Sequence, residues 1–344
     1  EVDLMEEVAR LAGFDRIPST LPCARVTTER PPRTQTVREL ARQIMVGFGF
    51  SEIISFSFIG GQVAARLGIT TEDRRFRHLP IQNPLTEEQS VLRTSLIPSM
   101  LETAARNQRQ RRLDLRLFEL SKVFFPRGND ELPEERFNLC GLLAGTRRPA
   151  GWIDPPEAVD FFDLKGPVDA LISALGVPAP RWKERPRTPF LRPEAAAEIE
   201  VAGITVGVLG EVRPEVLQAF EMKDAVFLVD LDFDLLEQQA TGQKRFRPLP
   251  RFPEVNRDLA IVVSEDLPAQ RVLDFLGEHR PEFAESVSVF DCYRGNQVGA
   301  GMKSLAFRIT YRSSERSLTD EEVNEIHTSV TNKVLVAFKA TLRS

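Results

Sequence analysis

Three cysteines in 344 residues, Cys23, Cys140 and Cys292, are too few, too scattered and odd in number to staple a fold. No CxxC pair and no Cys/His spacing occurs, which argues against a zinc framework and fits a reducing compartment. The histidines, His78, His279 and His327, are equally dispersed and read as structural or surface residues. No run approaches the ~20 apolar residues of a membrane helix. There is no GxxxxGK(S/T) loop and no GxGxxG after a strand, so neither familiar phosphate-cradling turn is present. No nucleophile stands beside a recognisable base. An excess of positive charge is missing too: 45 basic side chains face 50 acidic ones, a net charge of −5. That is no overall nucleic-acid signature, although the balance is uneven. From residue 244 onward there are 15 basic and 14 acidic side chains, against 30 and 36 before it. The last part therefore repels a phosphate backbone least.

The most informative stretch is residues 83–125. NPL breaks the chain into a loop. Leu96, Met100, Leu101 and Ala104 then recur at helical spacing, with Pro98 in the first turn, where it costs no hydrogen bond. Arg106, Arg109, Arg111, Arg112 and Arg116 follow. Leu113, Leu115 and Leu117 alternate before Phe118, Leu120, Val123, Phe124 and Phe125, the pattern of a buried strand. QSVLRTSLIPSML at 89–101 and LRLFELSKVF at 115–124, together with NPL, resemble the beta subunits of bacterial phenylalanyl-tRNA synthetases. The likeness runs in the same order through nearly the whole chain.

At the N-terminus, residues 1–12 read as a helix with Leu4, Met5, Val8 and Leu11 on its apolar side and Gly13 as its stop. Asp3, Glu6 and Glu7 share another face. Three hard oxygen donors so arranged suit Mg²⁺. They also suit a solvated acidic face at a helix start, where the macrodipole favours carboxylates. DLMEEVARLAGFDRIPSTLP at 3–22 is similar to the end of the family's helix-turn-helix-like domain. The resemblance implies that Asp3, Glu6 and Glu7 bind magnesium shared with the alpha subunit, with one further carboxylate upstream. The chain starts in mid-pattern without methionine, so it is expected to be a piece of a longer protein.

A Pro- and Thr-rich linker is expected over 18–33. A helix capped by Thr36, with Glu39 closing a capping box, should follow, with Val37, Leu40, Ile44 and Phe48 inward. Gly47 and Gly49 end it, and SEIISFSFI at 51–59 reads as one strand. This resembles the first motif of class II aminoacyl-tRNA synthetases, which makes a subunit interface; any amphipathic helix feeding a sheet has the same pattern. The second motif's Arg-x-Glu pair is absent, since Arg127 is followed by Gly128 and Asn129. At 207–213, GVLGEVR replaces the third motif's Glu-Arg. A planar guanidinium clamps phosphate oxygens in the transition state, so this module alone is expected to be inactive. A helix over 160–177, a hairpin over 195–209, a helix and a strand over 225–233 complete this part. At 192–194, Arg-Pro-Glu stands where the family more often has His-Pro-Gly.

KRFRPLPRFP at 244–253 is a basic, Pro-rich boundary. The order βαββα, closed by a short tail strand, follows. It predicts a ferredoxin-like split layout with helices on one face of the sheet. Thr319 and Glu322 form a capping box, and Val323, Ile326, Val330, Val334 and Phe338 a core stripe. In KSLAFRITY, Leu305, Phe307 and Ile309 should meet the helices, with Ser304, Ala306, Arg308 and Thr310 on the open side. Arg251, Arg257, Tyr293, Arg294, Lys303 and Arg308 around it are the candidate tRNA-binding residues, because aromatics and arginines on an open sheet suit unstacked bases. RFPEVNRDLAIVV, VFDCYRG and RSLTDEEVN resemble the family's anticodon-binding domain.

The expected fold is α+β. Residues 1–25 end a preceding domain, 26–243 form a class II catalytic-like antiparallel sheet domain, and 250–344 form a ferredoxin-like anticodon-binding domain. The resemblance implies a cytoplasmic assembly of two alpha and two beta subunits that joins phenylalanine to tRNA(Phe) with ATP and Mg²⁺. In it the alpha subunit does the chemistry and an editing domain lies upstream. No membrane or DNA partner is expected. The alternative is a stand-alone scaffold or ligand-binding protein that reuses these folds without tRNA.

Overall fold

The computed structural model describes every residue except 24–29, 129–130, 150, 153–154, 185, 242–245, 247, 296 and 344. The expected boundaries at 25 and 243, and Asn129, lie outside the described residues. In chain order the elements are α1 (Val2–Ala12), α2 (Arg33–Gly47), β1 (Ser51–Glu52), β2 (Phe58–Ile59), α3 (Val63–Arg66), β3 (Leu79–Pro80), β4 (Val91–Leu92) and α4 (Ile97–Arg109). Next come β5 (Leu115–Phe125), β6 (Glu134–Ala144), α5 (Phe161–Ala174), β7 (Arg181–Glu184), β8 (Leu191–Val201), β9 (Ile204–Val212), α6 (Pro214–Ala219), β10 (Val226–Asp232) and α7 (Phe233–Gln239). The chain ends in β11 (Val255–Ser264), α8 (Ala269–Glu278), β12 (Ala284–Tyr293), β13 (Met302–Tyr311), α9 (Asp320–Phe338) and β14 (Thr341–Leu342).

A seven-stranded sheet, ordered β1-β5-β6-β10-β9-β8-β7, carries the first part. It is mixed rather than wholly antiparallel, because β1 runs parallel to β5. Residues 134–144, which no motif singled out, supply the strand between β5 and β10. One face packs on α2, α5 and α7 through residues such as Ala41, Met45, Leu164, Val168, Leu171 and Leu236. The other packs on α3, α4 and α6 through Leu67, Met100, Leu101, Ala104 and Leu217. Both faces are covered, which is why apolar residues on β5, β6 and β10 point to both sides of the sheet.

The two glycines of GVLGEVR serve this packing. A Cβ at Gly207 would stand 2.3 Å from the Asp230 carbonyl oxygen, and one at Gly210 2.3 Å from the Ala196 Cβ.

Three local expectations are corrected. Thr36 is not an N-cap: α2 starts earlier, after Pro32, and the Thr36 hydroxyl donates back to the Pro32 carbonyl at 3.4 Å. The buried line of α2 is Val37, Ala41 and Met45, and Phe48 is exposed. Residues 51–59 are not one strand. Their backbone leaves β5 after Ile53, where Glu119 accepts hydrogen bonds from Ser55 N at 3.3 Å and Ser55 Oγ at 2.6 Å. The chain then joins a separate three-stranded sheet, ordered β2-β4-β3. Arg181–Glu184 forms the edge strand β7.

The last part has the expected βαββαβ order, with an antiparallel four-stranded sheet ordered β12-β13-β11-β14. Its α9 carries the Thr319/Glu322 capping box, and Val323, Val330 and Val334 are buried from it. Behind the sheet the Tyr311 hydroxyl lies 3.1 Å from His327 Nδ1; burial pushes the phenol up to about 12 and the imidazole below its ordinary value.

One buried pair ties the first part together. Arg93 and Glu119 meet at 2.9 Å with side chains 1% and 2% exposed. Arg93 also donates to Ser55 Oγ at 2.8 Å, to Ser121 Oγ at 2.7 Å and to the Lys122 carbonyl at 2.9 Å. Replacing Arg93 by Met leaves a sealed carboxylate unpaired, which costs about 3–5 kcal/mol. Urea unfolding should register that loss, and a second change, Glu119→Leu, should recover most of it.

Candidate functional site

Helices α8 and α9 both pack on the side of the second sheet that carries Leu259, Ile261, Val263, Leu305, Phe307 and Ile309, all buried. Among the described residues the opposite side has no helix. Across it the register sets Asn256 beside Thr310, Asp258 beside Arg308, Ala260 beside Ala306 and Val262 beside Ser304. From β12, Ser288 pairs with Arg308, Asp291 with Ala306 and Tyr293 with Ser304, and a bulge separates Val289 from Asp291.

Arg308 donates both arms of its fork to Asp258, each at 2.8 Å. That hydrogen bonding holds the carboxyl below its usual range and raises the guanidinium. The same guanidinium sits 4.9 Å from the Phe290 ring centre. At the other end, Arg343 lies 4.3 Å from the Tyr293 ring centre and 3.9 Å from the Asp291 carboxylate. Ser304, opposite Tyr293, is 1% exposed, and its hydroxyl has no hydrogen-bond partner. An aromatic ring, an arginine and a carboxylate thus share one end of one sheet face, above the sealed Ser304 hydroxyl. Such a set can stack an unpaired base and hydrogen-bond its edge.

The six expected residues divide. Tyr293 and Arg308 stand on the helix-free face. Arg294 follows Tyr293 and is exposed, donating to Glu265 at 2.7 Å; that bond lowers the Glu265 carboxyl. Arg251 is exposed and lines a cavity of about 800 Å³ with Arg280 and Arg312. The placement of the other two is corrected. Arg257 points to the helix side, where it donates to Asn324 of α9 at 2.9 Å and to Asp320 at 2.5 Å. Lys303 alternates with Leu305 and Phe307, lies opposite Val263 and is 8% exposed. The side-chain period of two decides both, since each is an odd-numbered residue on a strand whose odd positions face the helices. Ser304 and Ala306 do lie on the helix-free face, but they are buried beneath their longer neighbours.

Asp3, Glu6 and Glu7 are all exposed on α1. Glu7 is engaged by Arg10 through Nε at 3.1 Å. Among the described residues no group of three or more His, Cys, Asp or Glu side chains is arranged to hold a metal ion. The helix buries nothing: Val2, Leu4, Met5, Val8 and Leu11 are at least 63% exposed.

In the large sheet, Glu119, Cys140 and Asp230 form a row across β5, β6 and β10 on the face toward α4. Burial pushes the Cys140 thiol and the Asp230 carboxyl upward. Asp230 accepts from Asn138 at 3.3 Å and lies 3.8 Å from Arg75. Burial opposes ionisation of Asp73 too, but its hydrogen bonds from Arg75 outweigh that and lower it. Glu119 and Asp230 thus meet protein partners and are closed off from solvent.

Residues 17–233 match the family model of the phenylalanyl-tRNA synthetase beta chain CLM domain, and residues 250–343 match that of the ferredoxin-fold anticodon-binding domain. The chain belongs to the phenylalanyl-tRNA synthetase beta chain family. It is 40% identical over 343 residues to the phenylalanine–tRNA ligase beta subunit of Syntrophotalea carbinolica and 39% identical to that of Geobacter sulfurreducens. Each alignment covers all of this chain and 43% of the relative. The Symbiobacterium thermophilum subunit is 38% identical, with 38% of its length covered. The chain therefore spans less than half the length of these ligase subunits. Among the described residues no helix is long and apolar enough to cross a membrane.

Within this anticodon-binding fold, sequence reasoning missed Asp258, Phe290, Asp291 and Arg343. Asp258 was reachable, since alternation along 256–262 puts it on the Arg308 side. Phe290 was not, because a bulge breaks the alternation there. The Ser304 hydroxyl is the most telling group, being sealed and unsatisfied, which costs about 1–3 kcal/mol. Ser304→Ala should therefore leave the thermal midpoint unchanged or raise it. A marked fall would mean that the hydroxyl has a structural partner.

Proposed function

We propose that this chain is the C-terminal, non-catalytic part of a phenylalanine–tRNA ligase beta subunit, binding the alpha subunit and tRNA(Phe). The observation that carries this reading is the helix-free sheet face bearing Tyr293, Arg343, Ser304 and Asp291. Asp258 holds Arg308 in a fixed fork until a phosphate or base edge competes for it. The first part is read as a class II catalytic-like module without catalysis. Its central polar row is filled by its own ion pairs, and the motif arginines are missing. Phenylalanine activation with ATP and Mg²⁺ then belongs to the alpha subunit of a heterotetramer, in the cytoplasm. Asp3, Glu6 and Glu7 are read as one side of a magnesium site that the alpha subunit and an upstream carboxylate complete. Mg²⁺ demands near-octahedral oxygen geometry, which one exposed helix face does not supply. Domain limits at 25, 243 and 250 follow the same reading.

The alpha subunit is assigned to the bare apolar side chains after α2. Ile54 and Phe56 are 93% and 72% exposed, with Val46, Phe48 and Phe58 exposed nearby. Exposed apolar side chains grouped in this way mark an interface better than they suit a free surface. Ile54→Ser with Phe56→Ser should abolish co-purification of the alpha subunit, since anchor residues contribute about 2 kcal/mol or more each. Retained co-purification would move the interface elsewhere.

Tyr293→Ala and Arg308→Ala test the RNA reading in the complete enzyme. Each should weaken tRNA(Phe) binding by about ten-fold, as expected when one stacked base or one charged contact is lost. Phenylalanine-dependent pyrophosphate exchange, which needs no tRNA, should stay near normal. Unchanged tRNA binding with both variants would favour the scaffold alternative.

A further inference from the structure

The turn that closes α4 carries Arg106, Arg109, Arg111 and Arg112, with no acidic residue between Glu102 and Asp114. All four arginines are exposed. Arg109 meets Glu221 at 2.7 Å, whereas Arg106, Arg111 and Arg112 have no carboxylate partner among the described residues. Asp114 is turned away, accepting from Thr146 N at 2.6 Å and Thr146 Oγ1 at 2.8 Å.

The turn is rigid. Arg112 N–H donates to the Asn107 carbonyl at 3.0 Å and Arg111 N–H to that of Gln108 at 2.8 Å. This is the double hydrogen bond of a Schellman cap, with Arg111 at φ 61° in the left-handed position. Glycine is the residue for that position; an arginine there bears backbone strain. The cap fixes the loop from which the exposed guanidinium projects.

The turn leads into β5, near one edge of the large sheet. At the opposite edge, Arg181 of β7 pairs with Asp274 of α8 at 2.9 Å, where the βαββαβ unit touches the sheet. Five strand spacings, about 24 Å, separate β5 from β7. The Arg181–Asp274 contact is made by α8, on the helix side, so an RNA held on the helix-free face reaches the turn by passing an edge of the βαββαβ sheet. The chemistry favours phosphate over a protein partner: guanidinium forks match phosphate oxygens, and a stable protein interface needs an apolar core, whereas the turn itself offers only Leu113, 52% exposed. The adjoining cavity of about 580 Å³ has Glu87, Glu88 and Glu102 on its wall beside Arg66, Arg106 and Arg109, so its carboxylates offset its own arginines. Phosphates therefore meet the arginines on the solvent side of the turn instead of entering it.

We propose that Arg106, Arg111 and Arg112 form a second contact for the phosphate backbone of tRNA, remote from the anticodon-binding sheet. This adds a site to the tRNA reading above and rests on it. The test uses the full chain, a complete tRNA(Phe) transcript, and a hairpin holding only its anticodon stem and loop. The triple variant Arg106→Gln, Arg111→Gly, Arg112→Gln should bind the transcript about ten-fold more weakly and lower the slope of log affinity against log salt by about two to three. It should bind the hairpin as the parent does. Arg111→Gly alone should raise the thermal midpoint while weakening transcript binding, which separates lost contact from lost fold. Equal transcript affinity and slope in parent and triple variant would overturn the second contact and leave the first intact. A parent chain that binds neither RNA would overturn both. A lower midpoint for Arg111→Gly would remove the strain argument and the assignment with it.

Discussion

A guanidinium sealed inside the first part of the chain, that of Arg93, joins segments that sequence leaves far apart. Its fork reaches Ser55, Glu119, Ser121 and the Lys122 backbone, and its own backbone bonds Ser57 and Phe124. A charge with 1% exposure persists only when it is paired and hydrogen-bonded. That requirement fixes where the chain after β1 leaves the sheet, because Glu119 must also accept from Ser55. It follows that residues 54–58 are thrown outward with their apolar side chains bare, and that the row Glu119, Cys140, Asp230 is closed from above. The same constraint thus produces a bare apolar surface and a sheet centre whose carboxylates are buried.

The second part solves a different problem with the same residue type. Its arginines are held near the surface by carboxylates: Arg308 by Asp258, Arg294 by Glu265, Arg312 by Glu254 and Glu285. Exposed pairs of this kind contribute little to stability. They do keep the guanidinium forks oriented. The net charge stays near neutral, which is why composition carries no nucleic-acid signature although the face is suited to one.

Two surfaces have no internal explanation. Helix α1 has an apolar stripe with nothing beneath it, and Ile54 and Phe56 stand in solvent. The chain spans 43% of several relatives it matches, so parts that such relatives possess are candidates to cover these surfaces.

Much of the fold was legible in local pattern. Helices α4, α5 and α9, strands β5 and β10, and the βαββαβ order follow from periodicity, Pro and Gly punctuation and the Thr319/Glu322 box, because each depends on near neighbours in the chain. Alternation along β13 was enough to separate the helix side from the open side. What sequence could not decide depends on distant contacts. Thr36 had the cap signature, but Pro32 set the helix start. Residues 51–59 had a strand's composition, but Glu119 bent them out of the sheet. Lys303 and Arg257 had the right chemistry for RNA on the wrong parity, and Arg343 reaches Tyr293 only because β14 pairs with β11. By itself the sequence determined the long helices α4, α5 and α9, the strands β5 and β10, and the family they resemble. The tertiary structure alone decided which charges are free, which are sealed and which faces are bare. Pairing energies and desolvation act between residues that meet only after the chain has folded.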